Sequence, residues 1–382
     1  MANTITNILP KILARGLLAL REQAVMPRIV NLDYSNEAAQ KGDTIDVPIP
    51  STLSVSDVVP SNVLEAPADS APTKVQIALN NWKKVNFHLD DKQLVEIDRN
   101  AHFMPMQMSE AVRALANTIN LTVLNKYKGI YGFAGTAGTT PFSSNVTQAT
   151  DARKVLNEQL CPRDNRRMVL DFAAEASALA LADFQRVNES GDAGVKREGE
   201  IGRKFGFDIF TDDQVITHAK GGSGTPLVND SGGLSVGDTS VVIDGLSGSG
   251  GFVLGDILTF AGHSQTYTVS AITSAASGGA QTVTVNPPIK ATVANDAAIT
   301  VKANHVVNLA FHRDAFALAM RPLASSTAQD AYGSNIVSMT DPVTGLSMRL
   351  EVYRQYKQVV YELDALWGVE LIRPEYATRI AG

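Results

Sequence analysis

Two stretches near the N-terminus alternate apolar and polar residues with a period of two. Ile45, Val47, Ile49, Leu53 and Val55 occupy odd positions, and so do Val75, Ile77, Leu79, Val85, Phe87 and Leu89. That repeat belongs to a strand with one covered face. The second ladder runs over 15 residues, which at ~3.3 Å per residue predicts a strand of about 50 Å, far beyond the usual ~5–6 residues. The joining segment 59–72 is rich in Pro, Ala, Ser and Asp. A lone hairpin of this length is marginal in water, so the pattern predicts an extended arm that needs another surface to lie on, most simply a neighbouring subunit.

Helical spacing replaces alternation elsewhere. Leu9, Ile12, Leu13, Leu17 and Leu20, interleaved with Lys11, Arg15 and Arg21, predict an amphipathic helix over Ile8–Ala24. Val112, Leu115, Ala116, Ile119 and Val123 predict a second helix, capped by Ser109, running to about Lys128 and stopped at Gly129. At ~1.5 Å per residue it is roughly 30 Å long. Arg167–Leu170, Asp171 and Phe172–Val187 read as strand, cap and helix; Val306–Phe311 followed by Arg313–Met320 repeats that strand-then-helix pattern. Near the C-terminus Met348, Leu350 and Val352, then Val359, Tyr361, Leu363 and Ala365, alternate again, and with Val369–Ile372 they predict an antiparallel meander with one wet face.

Residues 219–303 form a compositional island. This 85-residue stretch holds 14 of the 29 glycines and has no Arg, Glu or Met. Inside it Ser240–Ile243, Ile257–Phe260, Thr266–Val269, Thr282–Val285 and Ala298–Val301 are short β-branched runs between Gly, Asp, Asn and Pro turns. They predict an inserted all-β domain, a small barrel or sandwich. The flanking segments 151–218 and 304–345 then belong to one α/β domain that the island interrupts.

Composition narrows the functional classes. A chain of 382 residues with 44% hydrophobic residues buries a real core, and 33 Lys+Arg against 39 Asp+Glu, a net charge of −6, supplies no global attraction to nucleic acid or anionic lipid. The single cysteine, Cys161, excludes an internal disulfide framework and a multi-Cys metal site. No apolar run reaches the ~18–20 residues of a membrane span, and Lys11 and Arg15 interrupt the stretch where a secretory signal would be purely apolar.

Motifs for chemistry are absent. His88, His102, His218, His263, His305 and His312 make no zinc-binding spacing. Gly245–Gly251 lacks the Lys-Ser/Thr of a phosphate loop and reads as a β-hairpin loop; Asp238, Asp244 and Asp256 read as turn carboxylates and do not match a calcium loop. Arg163, Arg166 and Arg167, with Lys11, Arg15, Arg21 and Arg28, offer phosphate contact or salt bridges to a neighbouring subunit, without interleaved aromatics for base stacking. The sequence therefore nominates no catalytic, cofactor-binding or metal-binding residue, and the expectation is a protein that is not an enzyme.

Gly199-Glu-Ile-Gly-Arg-Lys-Phe-Gly-Phe-Asp-Ile209, Asn308-Leu-Ala-Phe-His-Arg-Asp-Ala-Phe-Ala-Leu-Ala-Met-Arg-Pro-Leu323 and Leu366-Trp-Gly-Val-Glu-Leu-Ile-Arg-Pro-Glu375 resemble the major capsid (coat) proteins of tailed bacteriophages, which share the Hong Kong ninety-seven fold. The island resembles the inserted β domain of short-tailed phage coat proteins. The resemblance implies an α+β fold divided as follows: N-terminal arm and helix, 1–34; extended β-hairpin loop, 35–90; peripheral domain with spine helix, 91–150; axial domain, 151–218 and 304–345; inserted β domain, 219–303; returning strands of the peripheral domain, 346–382. It further implies hexamers and pentamers of an icosahedral shell enclosing double-stranded DNA, assembled in a bacterial cytoplasm, with a portal, a decoration protein as an option, no cofactor and no membrane. Residues 43–73 contain no lysine, so the isopeptide cross-link of some relatives has no donor at the loop tip. Without a long helical N-terminal extension, scaffolding is expected from a separate protein. The competing reading, from the Gly/Thr/Val-rich island, is a phage or bacterial surface adhesin or tail-associated β protein.

Overall fold

The computed structural model describes residues 24–34, 43–50, 72–92, 106–185, 201–247, 250–323, 335–340 and 346–382, together with residues 16, 55, 57, 58 and 60. The amphipathic N-terminal helix and the joining segment of the arm therefore lie almost wholly outside the described residues. The fold is α+β. Two compact units divide it: one takes in described residues of Leu32–Ala111 and Ala317–Ile372, the other those of Leu18–Asn31, Val112–Phe316 and Arg373–Gly382.

In the first unit Thr44–Ile49 and Thr73–Ala78 form an antiparallel hairpin in register from Thr44↔Ala78 to Ile49↔Thr73. The predicted 15-residue ladder is two strands, because the chain changes partners: Asn80 bonds back to the Ala78 carbonyl, and Asn81–Asp90 pairs with Gln358–Leu371 instead. Alternation reports only which way side chains face, and Ile77, Leu79 and Leu89 stay buried across the break. Strands Phe316–Arg321, Gln358–Leu371, Ser347–Gln355 and Asn335–Thr340 follow in that order in the antiparallel sheet.

Two expectations are corrected here. The helix predicted over Arg313–Met320 is a 3₁₀ turn, Arg313–Ala315, followed by the strand Phe316–Arg321. Phe316 through Met320 are all wholly buried, and a run that is apolar on every side has no period to separate helix from strand. The meander also lacks a single wet face, since Val359–Tyr361 and Leu363–Val369 are buried on both sides of the long strand. At Gly368 an added Cβ would lie 2.5 Å from the Ala78 carbonyl oxygen, so only glycine lets the hairpin backbone pass this closely. The hairpin's Ile45, Val47, Ile77 and Leu79 form a core with Ala317, Ala319, Leu366 and Ile372.

The second unit is built on a seven-stranded mixed sheet ordered Gly132–Gly135, Ala377–Ala381, His305–His312, Arg166–Leu170, Phe207–Thr211, Arg203–Lys204, with Thr217–His218 paired to His305–Val306. Helices Thr147–Glu158 and Phe172–Ala180 contribute Ala149, Ala152, Leu156, Ala174 and Ala178 to its core. The Asp171 carboxylate caps the second of these, accepting from the Ala173 and Ala174 amides. That helix ends at Ala180, short of the predicted Val187, because Leu181 turns extended. The long helix begins at Met106, three residues before the predicted cap Ser109, and passes at Asn125–Gly129 into a 3₁₀ turn.

Within the island, six strands run in the order Ile299–Val301, Ile257–Phe260, Tyr267–Ile272, Gln281–Asn286, Ser240–Leu246, Gly224–Val228. A bridge between Leu227 and Ala298, with the Val228 amide 3.0 Å from the Ala297 carbonyl, joins first to last and closes a small barrel. Val241, Ile243, Phe260, Tyr267, Val269, Val283 and Val285 fill it. Gly224–Val228 escaped the sequence reading because Gly224 and Pro226 interrupt its apolar pattern. Gly245, at φ +70° and with a would-be Cβ 2.3 Å from the Thr225 carbonyl oxygen, marks the bulge that bends one strand around the barrel. With a closed interior of its own, a 219–303 fragment is expected to fold alone, giving a β-type circular dichroism spectrum and a cooperative melt; a fragment without a melt would refute this.

Candidate functional site

Between the barrel and the seven-stranded sheet lies a buried polar layer drawn from distant parts of the chain. Arg379, on the C-terminal strand, is fully buried; its Nη1 donates to the Gly255 carbonyl at 2.7 Å and its Nη2 to Thr268 Oγ1 at 3.2 Å, both in the barrel. The guanidinium carbon stands 5.0 Å from the centre of the Tyr127 ring. The Tyr127 hydroxyl is 2.9 Å from His218 Nδ1, and His218 Nε2 is 2.9 Å from Asp256 Oδ1. Asp256 also accepts from the amides of Gly221 and Val253. With Nε2–H donating to the carboxylate, Nδ1 accepts the tyrosine proton, which fixes the His218 tautomer.

His305 completes the layer, its ring 5.4 Å from that of His218 and edge-on to Phe133. Its Nδ1 donates to the Ala303 carbonyl at 2.8 Å, while Nε2 is buried without a partner. Burial pulls His305 down to about 4, against the smaller opposing effect of the Ala303 bond. Burial likewise draws Arg379 down to about 9, which leaves it charged at neutral pH. The buried positive charge is thus held by carbonyls, a tyrosine ring and the Asp256 carboxylate.

None of these residues had been singled out as a cluster. Asp256 read as a turn carboxylate, and the histidines as surface or structural groups. One signal was present: His218 and His305 stand one and two residues outside the two ends of the island, where an insertion must enter and leave.

The basic residues scatter. Arg166 is buried and spends its donors on the Pro162 and Cys161 carbonyls and on Asn157 Oδ1, at 2.6, 2.7 and 2.9 Å. It is therefore withdrawn from any phosphate contact. Arg167 donates to the Ile29 carbonyl, and desolvation followed by the charge of Arg313 holds it below the usual arginine range. Arg28 and Arg163 are exposed; Lys11, Arg15 and Arg21 lie outside the described residues. Burial pushes the Cys161 thiol up to about 11, which keeps it an unreactive thiol. Among the described residues no group of three or more His, Cys, Asp or Glu side chains is placed to hold a metal ion, and no helix is long and apolar enough to cross a membrane.

In the first unit two apolar residues of the segment that joins the hairpin strands are exposed: Val55 is 101% and Val58 92% exposed. Behind it, Arg349 and Asp364, directly paired across two strands, form a buried two-pronged ion pair, and Trp82 Nε1 donates to the same carboxylate at 3.1 Å.

No family model and no curated protein matches the sequence. Several solved structures are similar to it in fold over most of its length. A structure from Mycobacterium phage Che8 is 13% identical, with 94% of this chain and 91% of that one covered at a TM-score of 0.49. The capsid structure of the cyanophage P-SCSP1u is 14% identical, covering 94% and 88% at 0.48. The mature capsid of bacteriophage PhiM1 is 9% identical, covering 94% and 86% at 0.47. At TM-scores below 0.5 these likenesses leave the case for a function to the chain's own residues.

Proposed function

We propose that this chain is a structural, non-enzymatic capsid protein that self-assembles into hexamers and pentamers of an icosahedral shell enclosing double-stranded DNA. The observation that carries the reading is the arm: a hairpin rooted in a buried core, with Val55 and Val58 of the segment joining its strands left in water. Exposed apolar surface of this kind is what a neighbouring copy would cover. The order of elements supports the same reading. A hairpin, a long helix, a sheet interrupted by a barrel and a further set of strands follow one another along the chain. Scaffolding by a separate protein, a portal, and non-specific contact with the packaged DNA complete the proposal. Electron microscopy of the purified protein tests it. Closed shells of uniform diameter are expected, whereas monomers or trimers that bind a glycan would favour the adhesin reading.

The shell is expected to be held by non-covalent contacts alone. No lysine lies between Lys41 and Lys74 in the sequence. Cys161 is buried, and one thiol per chain links subunits only in pairs. Particles boiled in detergent should run at the monomer mass of 40.7 kDa with or without reductant; a ladder of covalent oligomers would overturn this.

A further inference from the structure

The barrel joins the seven-stranded sheet through two chain crossings, Thr217–His218 and His305–Val306, which pair with each other. The Lys220 amide also bonds to Asn304 Oδ1 across the same neck, at 2.9 Å. A neck this narrow would leave the barrel free to swing, but the buried polar layer lies directly against it. Arg379 seats in the barrel's Gly255 and Thr268, the Thr268 hydroxyl donates to the Lys128 carbonyl at 2.9 Å, and the Thr266 hydroxyl to that of Tyr131 at 2.7 Å. At Gly255 a Cβ would lie 3.2 Å from Lys128 Cα, so the two backbones are nearly in contact.

We propose that this layer is an acid-released latch: it clamps the barrel to the sheet at neutral pH, and protonation of His305 frees the barrel while both parts stay folded. The inference goes beyond the capsid reading and does not depend on it.

The argument lies in what surrounds His305. Its free nitrogen, Nε2, has no hydrogen-bond partner, so a proton added there has no acceptor. From the Thr217–His218 strand it faces His218; from the C-terminal strand, Arg379; from the strand Gly132–Gly135, Phe133, over which Lys302 of the barrel lies at 5.4 Å. From the 3₁₀ turn before that strand, Tyr127 shares His218 and Arg379 with it. Asp256 is the carboxylate acting on His305, and it already accepts from His218, Gly221 and Val253. A second cation beside Arg379 is therefore uncompensated.

The direction follows from proton binding. Latched, His305 takes a proton only near pH 4; released into water it takes one near its ordinary 6.5. Below 6.5 the released state binds more protons, so the latch weakens as pH falls towards 4 and is fully present above 6.5. Two and a half units of difference set an upper bound of about 300-fold on the shift in the latch equilibrium.

Hydrogen exchange of the full chain, normalised for the intrinsic effect of pH, tests this at pH 7 and pH 4.5. Protection should fall at 217–224, 300–307 and 127–135, while 240–246 and 281–286 inside the barrel and 166–170 in the sheet keep theirs. His305→Gln, which does not titrate, should hold the neck protected at both pH values, and Arg379→Met should expose it already at pH 7. Loss of protection everywhere at once, no acid response, or a response that persists in His305→Gln would overturn the latch. Should that variant not fold, the ring resonances of His305 in the unaltered chain decide: titration near 4 supports the latch and titration near 6.5 removes it.

Discussion

Excising Ser51–Pro72 and closing the hairpin with Asn-Gly is expected to leave a soluble, folded subunit that no longer forms shells. Ile49 and Thr73 are direct partners across the hairpin, so Pro50 with the added Asn-Gly makes a three-residue loop that can join them without moving either strand. The core behind them draws on Ile45, Val47, Ile77 and Leu79 and on none of the described residues between 51 and 72. The subunit's own stability should therefore change little. Association should change greatly. Val55 and Val58 are almost wholly exposed in a single copy; burying each against a neighbour contributes ~1.5–3 kcal/mol, or roughly 3–6 kcal/mol per contact, repeated at every subunit of a shell. Thermal melts of the two proteins should superimpose within a few degrees while electron microscopy shows particles only for the full chain. Shells of normal form from the shortened protein would end the arm hypothesis.

How much of this was legible in the sequence depends on which physical signal each part carries. The barrel was readable because Val241, Val283 and Val285 alternate with residues less buried than themselves and because turn residues punctuate them; five of its strands were placed this way and the sixth was hidden by Gly224 and Pro226. The arm was readable from alternation, yet its break at Asn80 was not, since a strand can change partners without changing which face its side chains occupy. Phe316–Met320 misled for the opposite reason: buried on every side, it had no periodicity to read. The polar layer was illegible because its members, Tyr127, His218, Asp256, His305 and Arg379, come together only through folding. Each is unremarkable alone, and the burial that makes Arg379 and Asp256 matter is a property of the assembled sheet and barrel.

The same blindness hid the pair from which the largest stability effect is expected. Arg349 and Asp364 sit opposite each other on adjacent strands, each almost fully buried, and both carboxylate oxygens are engaged by the guanidinium. Removing Asp364 leaves the buried guanidinium only the longer 3.9 Å contact to Glu351; breaking a buried pair in this way costs about 3–5 kcal/mol, whereas replacing both partners by apolar residues of similar volume is often neutral. Asp364→Ala should therefore destabilise the first unit by about 3–5 kcal/mol, and it also removes the acceptor of Trp82 Nε1. Arg349→Met combined with Asp364→Leu should recover most of that loss. The chain's two tryptophans, Trp82 opposite Leu366 and Trp367 opposite Asn81, both lie on the paired strands of this sheet, so their fluorescence in a urea titration follows this unit rather than the barrel. The expected order of midpoints is the natural chain and the double variant together at high urea, with Asp364→Ala well below. A shift worth less than about 1 kcal/mol in the single variant would show that Arg349 reaches water or another acceptor once its partner is gone, and that the pair is not the strut of the sheet.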